Sequence, residues 1–202
     1  MNKSVLLVGL AVASSMAMAG TYNDHASYLA DTTGNTVINF DTDTNGAPIS
    51  AGTFLGSIYA SQGVVFGAGG YANLAVQPVS SPNMWCDDTE ANGGKLFTAF
   101  VTSSNVNAVG VFNVLFSGGG VTTLTAFDSN NSVLGSVNDD GNANTLDFFG
   151  LTTNSPIARI EIQFVGQAGW GLDDLHLGQA VPTPGAAGLA LAGLLAAARR
   201  RR

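Results

Sequence analysis

The chain has 202 residues, 10% of them charged and 46% hydrophobic, with a formal net charge of −7 and one cysteine, Cys86. That length suits one domain with a real core. The lone cysteine excludes an intramolecular disulfide, and the acidic balance argues against nucleic acid or anionic lipid as a partner.

The first residues carry a basic Lys3, an apolar run from Val5, and small residues at Ala17-Met18-Ala19. This is the pattern of a secretory signal peptide over residues 1–19, cut by signal peptidase after Ala19. The mature chain is expected to begin near Gly20, outside the cytoplasm. Residues 20–35, which include His25, are expected to be a mobile N-terminal segment. Between the two ends, only Lys95 and Arg159 stand against fourteen acidic residues, so residues 20–180 carry a net charge of −12.

Residues 36–178 are rich in Gly, Val, Thr, Asn, Ser, Phe and Leu, a composition of strands and turns. Strands are expected at Thr36–Asp41, Gly63–Gly67, Tyr71–Val76, Lys95–Val101, Ala108–Phe116 and Val121–Asp128. Asp128-Ser129-Asn130-Asn131 reads as the turn of a hairpin into the following strand. Further strands follow at Leu146–Gly150, Ile157–Val165 and Gly169–Gly178. The clearest is Ile157–Val165, where Ile160, Ile162 and Phe164 alternate with Arg159, Glu161 and Gln163. Sustained helical periodicity is absent from the sequence of this domain. About ten short strands at this spacing predict an all-β, two-sheet antiparallel sandwich of jelly-roll type.

Asp41-Thr42-Asp43-Thr44-Asn45-Gly46 places oxygen ligands at alternate positions before a glycine, as in the first half of a calcium loop. Gly52 stands where an EF-hand needs a bidentate Glu, so an EF-hand is excluded. Two readings stand: an inter-strand turn built from Asp, Asn and Gly, or a structural Ca²⁺ site. In the second, Asp41, Asp43 and Asn45 are joined by Asp173 or Asp174, because first and last strands of a jelly roll lie side by side. Strand alternation puts Asp173 on the face of Leu175 and Leu177, and Asp174 with His176 on the other. Asp173 as a cap on exposed backbone amides is the plainer reading.

The motifs of the common hydrolases and phosphate binders are missing: there is no Gly-x-Ser-x-Gly elbow, His-Glu-x-x-His pair or P-loop. Catalysis therefore ranks below binding. A sugar-binding role requires exposed aromatic faces, for which Trp85, Trp170, Tyr59 and Tyr71 are candidates. Trp85, in Ser80-Ser81-Pro82-Asn83-Met84-Trp85-Cys86-Asp87-Asp88, is the first choice. A loop anchor packed on the sandwich edge is its other reading.

The chain closes with Val181-Pro182-Thr183-Pro184, fourteen residues without a polar side chain at Gly185–Ala198, and Arg199, Arg200, Arg201 and Arg202. As a helix the apolar run reaches about 21 Å, short of a bilayer core of about 30 Å. The arginines extend its reach by snorkelling and hold it with the cationic end in the cytoplasm. The prolines keep the preceding segment extended and open to a protease. The design fits a temporary membrane stop; an uncut tail anchor is the alternative.

The order Pro-x-Pro, short hydrophobic helix and arginine cluster over residues 179–202 resembles the PEP-CTERM sorting signal of Gram-negative bacteria. Thr183 stands where that family has its central Glu. The resemblance implies cleavage by an exosortase, a membrane-embedded cysteine transpeptidase. It also implies delivery to the cell surface or extracellular matrix, often alongside exopolysaccharide. The domain itself resembles one common among exported PEP-CTERM proteins. The matching pieces are Phe40-Asp41, Gly63-Val64-Val65-Phe66, Pro82-Asn83 and the closing Gly171-Leu172-Asp173-Asp174-Leu175-His176-Leu177-Gly178. That likeness implies a jelly-roll sandwich similar to carbohydrate-binding modules and brings no known activity.

Overall fold

The computed structural model describes residues 19–67, 70–74, 79–86, 95–115, 120–139, 146–166 and 170–182. Residues 1–18, where a signal peptide is expected, and the tail from Thr183 lie outside them. The described residues through Val181 belong to one compact unit.

Alternation of apolar and polar side chains drives the architecture. Along β11 (Arg159–Gly166), Ile160, Ile162 and Phe164 are fully buried, while Arg159, Glu161 and Gln163 face outward, as their pattern predicts. The same logic gives β6 (Lys95–Val101), β8 (Gly120–Phe127) and β9 (Val133–Asn138). With β3 (Val64–Phe66) these form a five-stranded sheet in the order β3-β6-β11-β8-β9. The β8–β9 hairpin turns where expected, with Asp128 Oδ1 accepting from the amides of Asn130 and Ser132 and Asn131 at φ 68°.

The second sheet has seven strands. Its path runs β1 (Gly20–Tyr22), β10 (Leu146–Thr152), β7 (Ala108–Leu115), β12 (Trp170–Ala180), β5 (Asn83–Cys86) and β4 (Tyr71–Leu74). β2 (Thr32–Ile38) also pairs with β12, from Leu175 to Ala180, so the early and late strands do lie side by side. Every pairing in both sheets is antiparallel.

The two sheets face each other across one apolar core. Trp85, Phe97, Leu124, Phe149, Ile160, Ile162, Leu172 and Leu175 meet there with Phe40, Tyr59 and Phe66. Burying each large side chain removes its surface from water at a gain of about 1.5–3 kcal/mol. A smaller cluster lies on the back of the seven-stranded sheet: Tyr28, Ala108 and Phe148, with Tyr22 and Phe112 packed against them. Gly110 makes it possible, because a Cβ there would collide with the Phe148 ring.

Three expectations change. The segment 20–35 carries β1, the helix α1 (His25–Ala30) and the start of β2, docked by the aromatic cluster just described. Asp24 caps α1 by accepting from the Ser27 amide. β5 was not visible as a strand because its four residues are buried on both faces, which erases alternation. Strict alternation also fails in β12. A bulge between Asp173 and His176, with Asp174 at φ 45°, shifts the parity. Leu172, Leu175 and Leu177 all enter the core as a result, and Asp173 takes the face opposite to theirs.

Candidate functional site

The predicted calcium ligands divide into groups with different tasks. Asp43 Oδ1 accepts from the amides of Asn45 and Ala47 at 2.8 and 2.9 Å, and the Asp43 amide donates to Ala47 O. These amides hold the Asp43 carboxylate below its usual pKa, that of Ala47 most strongly. Asn45 is exposed, and both side chains line an open cavity of about 350 Å³ with Ser50 and Thr53. Asp41 has a different task. It is buried, and its Oδ1 accepts from the Asn83 amide at 2.7 Å.

Asp173 is fully buried and spends both oxygens on its neighbours. Oδ2 accepts from the amides of Val79 and Ser80; Oδ1 accepts from the Ser80 hydroxyl and the Asp174 amide. Burial raises its pKa to about 6 against the pull of these donors. Asp173 thus caps the amides of the 79–80 loop and ties that loop to β12. The loop continues through a cis Ser81–Pro82 bond to Asn83, whose side-chain amide donates to Phe40 O and Ile49 O. Asp174 is half-buried; its Oδ1 has no partner, and burial, with Asp41 nearby, raises its pKa. The Asp41 charge acts on Asp174, but no hydrogen bond joins the two side chains among the described residues. Among the described residues no three His, Cys, Asp or Glu side chains form a metal cage. Asp43 in particular spends its Oδ1 on closing a turn.

The candidate aromatic residues are corrected by burial. Trp85 is fully buried between Phe66 and Phe97, at ring distances of 4.8 and 5.1 Å, with no face left for a sugar. The four-residue β5 carries it into the core rather than onto a loop. Tyr59 is equally buried and donates its hydroxyl to Thr42 O at 3.0 Å. Tyr71 is half-buried against the exposed Phe54, with rings 5.3 Å apart.

A further arrangement of outward side chains lies on the back of the five-stranded sheet. Strand register aligns Val65, Phe100, Arg159, Phe127 and Val133 in one row across it. The next row is Thr98, Glu161, Thr125 and Ser136, followed by Leu96, Gln163, Thr123 and Asn138. Phe100 is 46% exposed and Leu96 50%. The Arg159 guanidinium sits 3.7 Å above the Phe127 ring, pairs with Glu161 and donates to Asn131 Oδ1. Thr123 bonds Asn138, and Thr125 meets Ser136. The sheet therefore presents hydroxyl and amide groups bordered by an aromatic row. The visible sign was an apolar residue on the polar parity of β6, where Phe100 shares a face with Thr98.

Of the processing residues, Ala19 and Pro182 are described and both are exposed, flanking the first and last strands. Ala17, Thr183, Pro184 and Arg199 to Arg202 lie outside the described residues, as does the expected tail helix. Among the described residues no helix is long and apolar enough to cross a membrane. No protein-family model matches this chain, and no curated protein matches it.

Proposed function

We propose that the chain is an exported, non-catalytic component of the cell surface or extracellular matrix of a Gram-negative bacterium. Its tail holds it briefly at the inner membrane until an exosortase-type enzyme cuts near Pro184. One observation supports this reading most directly: the strands fill the interval between the two expected cuts. β1 begins at Gly20, immediately after Ala19, and β12 ends at Ala180, just before Pro182. Ala19 and Pro182, which flank these strands, are exposed, and neither cut would fall within a described strand. The sandwich is read more finely as a jelly roll, since the chain repeatedly crosses from one sheet to the other. Mass spectrometry of the protein recovered from its own cells tests the proposal. The expected product starts at Gly20 and ends between Pro182 and Pro184; an intact arginine terminus in the membrane fraction would overturn it.

The open back of the five-stranded sheet favours a second reading, a lectin-like module for polysaccharide. Phe100 offers a ring face to sugar C–H groups, and Thr98, Glu161, Gln163 and Asn138 offer hydrogen bonds beside it. The charge of −12 on residues 20–180 points to a neutral polysaccharide rather than an acidic one. Co-sedimentation with cellulose and with amylose is the assay. Binding that is lost in Phe100→Ala supports this reading. Absence of binding to either, or binding unchanged in that variant, rejects it and leaves the first untouched.

A further inference from the structure

The chain contains two histidines, and the fold brings them together on the back of the seven-stranded sheet. His25 opens α1, and His176 projects from β12 beside the bulge; their ring centroids are 4.8 Å apart. His176 is 5% exposed, and neither of its ring nitrogens has a hydrogen-bond partner. His25 Nε2 is also buried without one, and so is Asp174 Oδ1 on the same strand. Tyr28, Phe112 and Phe148 wall the pair, with ring centroids 5.9 to 6.3 Å from that of His176. These groups take no part in either reading above.

A neutral imidazole carries one N–H donor and one nitrogen acceptor. Native interiors pair nearly all such groups, so two imidazoles side by side without partners call for a ligand that accepts the one lone pair each ring can offer. The ring spacing fits a shared ion. With metal–nitrogen bonds of about 2.0–2.1 Å, two imidazoles at roughly 90–110° around one ion have centroids about 4.5–5.2 Å apart. Ring packing alone also allows that spacing, but it leaves the nitrogens unexplained.

We propose that His25 and His176 form a two-imidazole clip for a divalent transition-metal ion, with Zn²⁺ as the representative, pinning α1 to the sheet. Nitrogen donors select Zn²⁺, Ni²⁺ or Cu²⁺ over Ca²⁺, which takes oxygen. Because no third side chain completes a cage among the described residues, the remaining positions go to water on the side of the partly buried His25.

The test uses the full-length chain without a polyhistidine tag, stripped with chelator. Zn²⁺ is titrated by calorimetry, and melting temperature is followed in parallel. The expected result is one Zn²⁺ per chain and a higher melting temperature. His25→Ala is expected to weaken binding by about tenfold or more and to remove the thermal shift. His25 is less buried than His176, so this variant carries the test even if His176→Ala fails to fold. No binding, or binding unchanged in His25→Ala (an adventitious ion only, at the acidic loops), overturns the clip.

Discussion

On its outer side the seven-stranded sheet is covered over part of β7 and β10 by its own chain, while the five-stranded sheet leaves Phe100, Leu96, Val121 and Val165 at the surface. Both backs carry aromatic residues, yet they serve different ends. Tyr28, Phe112 and Phe148 dock the N-terminal segment, whereas Phe100 and Phe127 border a polar sheet with nothing of the described chain above it. Aromatic content alone therefore does not mark a binding face; what matters is whether the chain spends those rings on itself.

The sharpest way to break this contrast is to truncate one ring on each side. Phe148 is 4% exposed beneath α1, so Phe148→Ala is expected to destabilise by about 3–5 kcal/mol, the range for a buried aromatic. Phe100→Ala should stay within about 0.5 kcal/mol, as befits a surface change. Urea midpoints of the two variants decide the matter. Comparable losses would mean that the five-stranded sheet is also covered.

A smaller effect separates the carboxylates of the two regions. Asp173→Asn sets an amide nitrogen against backbone donors that now point at a carboxylate, and is expected to cost about 1–3 kcal/mol. Glu161→Gln on the open face breaks only a partly exposed pair with Arg159 and should cost about 0–1 kcal/mol. The same denaturation assay at neutral pH compares them. If Asp173→Asn proved harmless, the 79–80 loop would not depend on its cap.

The sandwich was legible in the sequence because half-buried strands write their geometry as a period of two. β11 shows this residue by residue, and β6 and β8 follow it. The period vanishes where both faces are buried, which hid β5 and made Trp85 look like a loop residue. It misleads where an extra residue enters a strand, and the β12 bulge moved Asp173 to the face opposite its expected one. The pairing of an early strand, β2, with the last, β12, was foreseeable from the jelly-roll pattern. The meeting of His25 with His176 was not, since six residues of helix give too little periodicity to predict docking.

The finest test of the covered face concerns one hydroxyl. Tyr28 is fully buried, and its OH has no hydrogen-bond partner. Removing that oxygen relieves a desolvated polar group without opening a cavity in the ring packing. Tyr28→Phe is therefore expected to match or exceed the parent by up to about 1 kcal/mol, the opposite sign to Phe148→Ala. The pH dependence carries the same information. Burial pushes the Tyr28 phenol well above its ordinary value, with Tyr22 adding to the effect. The folded chain then holds a proton that the unfolded chain loses near pH 10, so this contribution is fully present below pH about 10 and is lost as pH rises further. Alkaline unfolding followed by circular dichroism should shift to higher pH in Tyr28→Phe. A shift to lower pH would show that the hydroxyl finds a partner in solution and that the segment 20–31 sits less deeply on the sheet than its burial indicates.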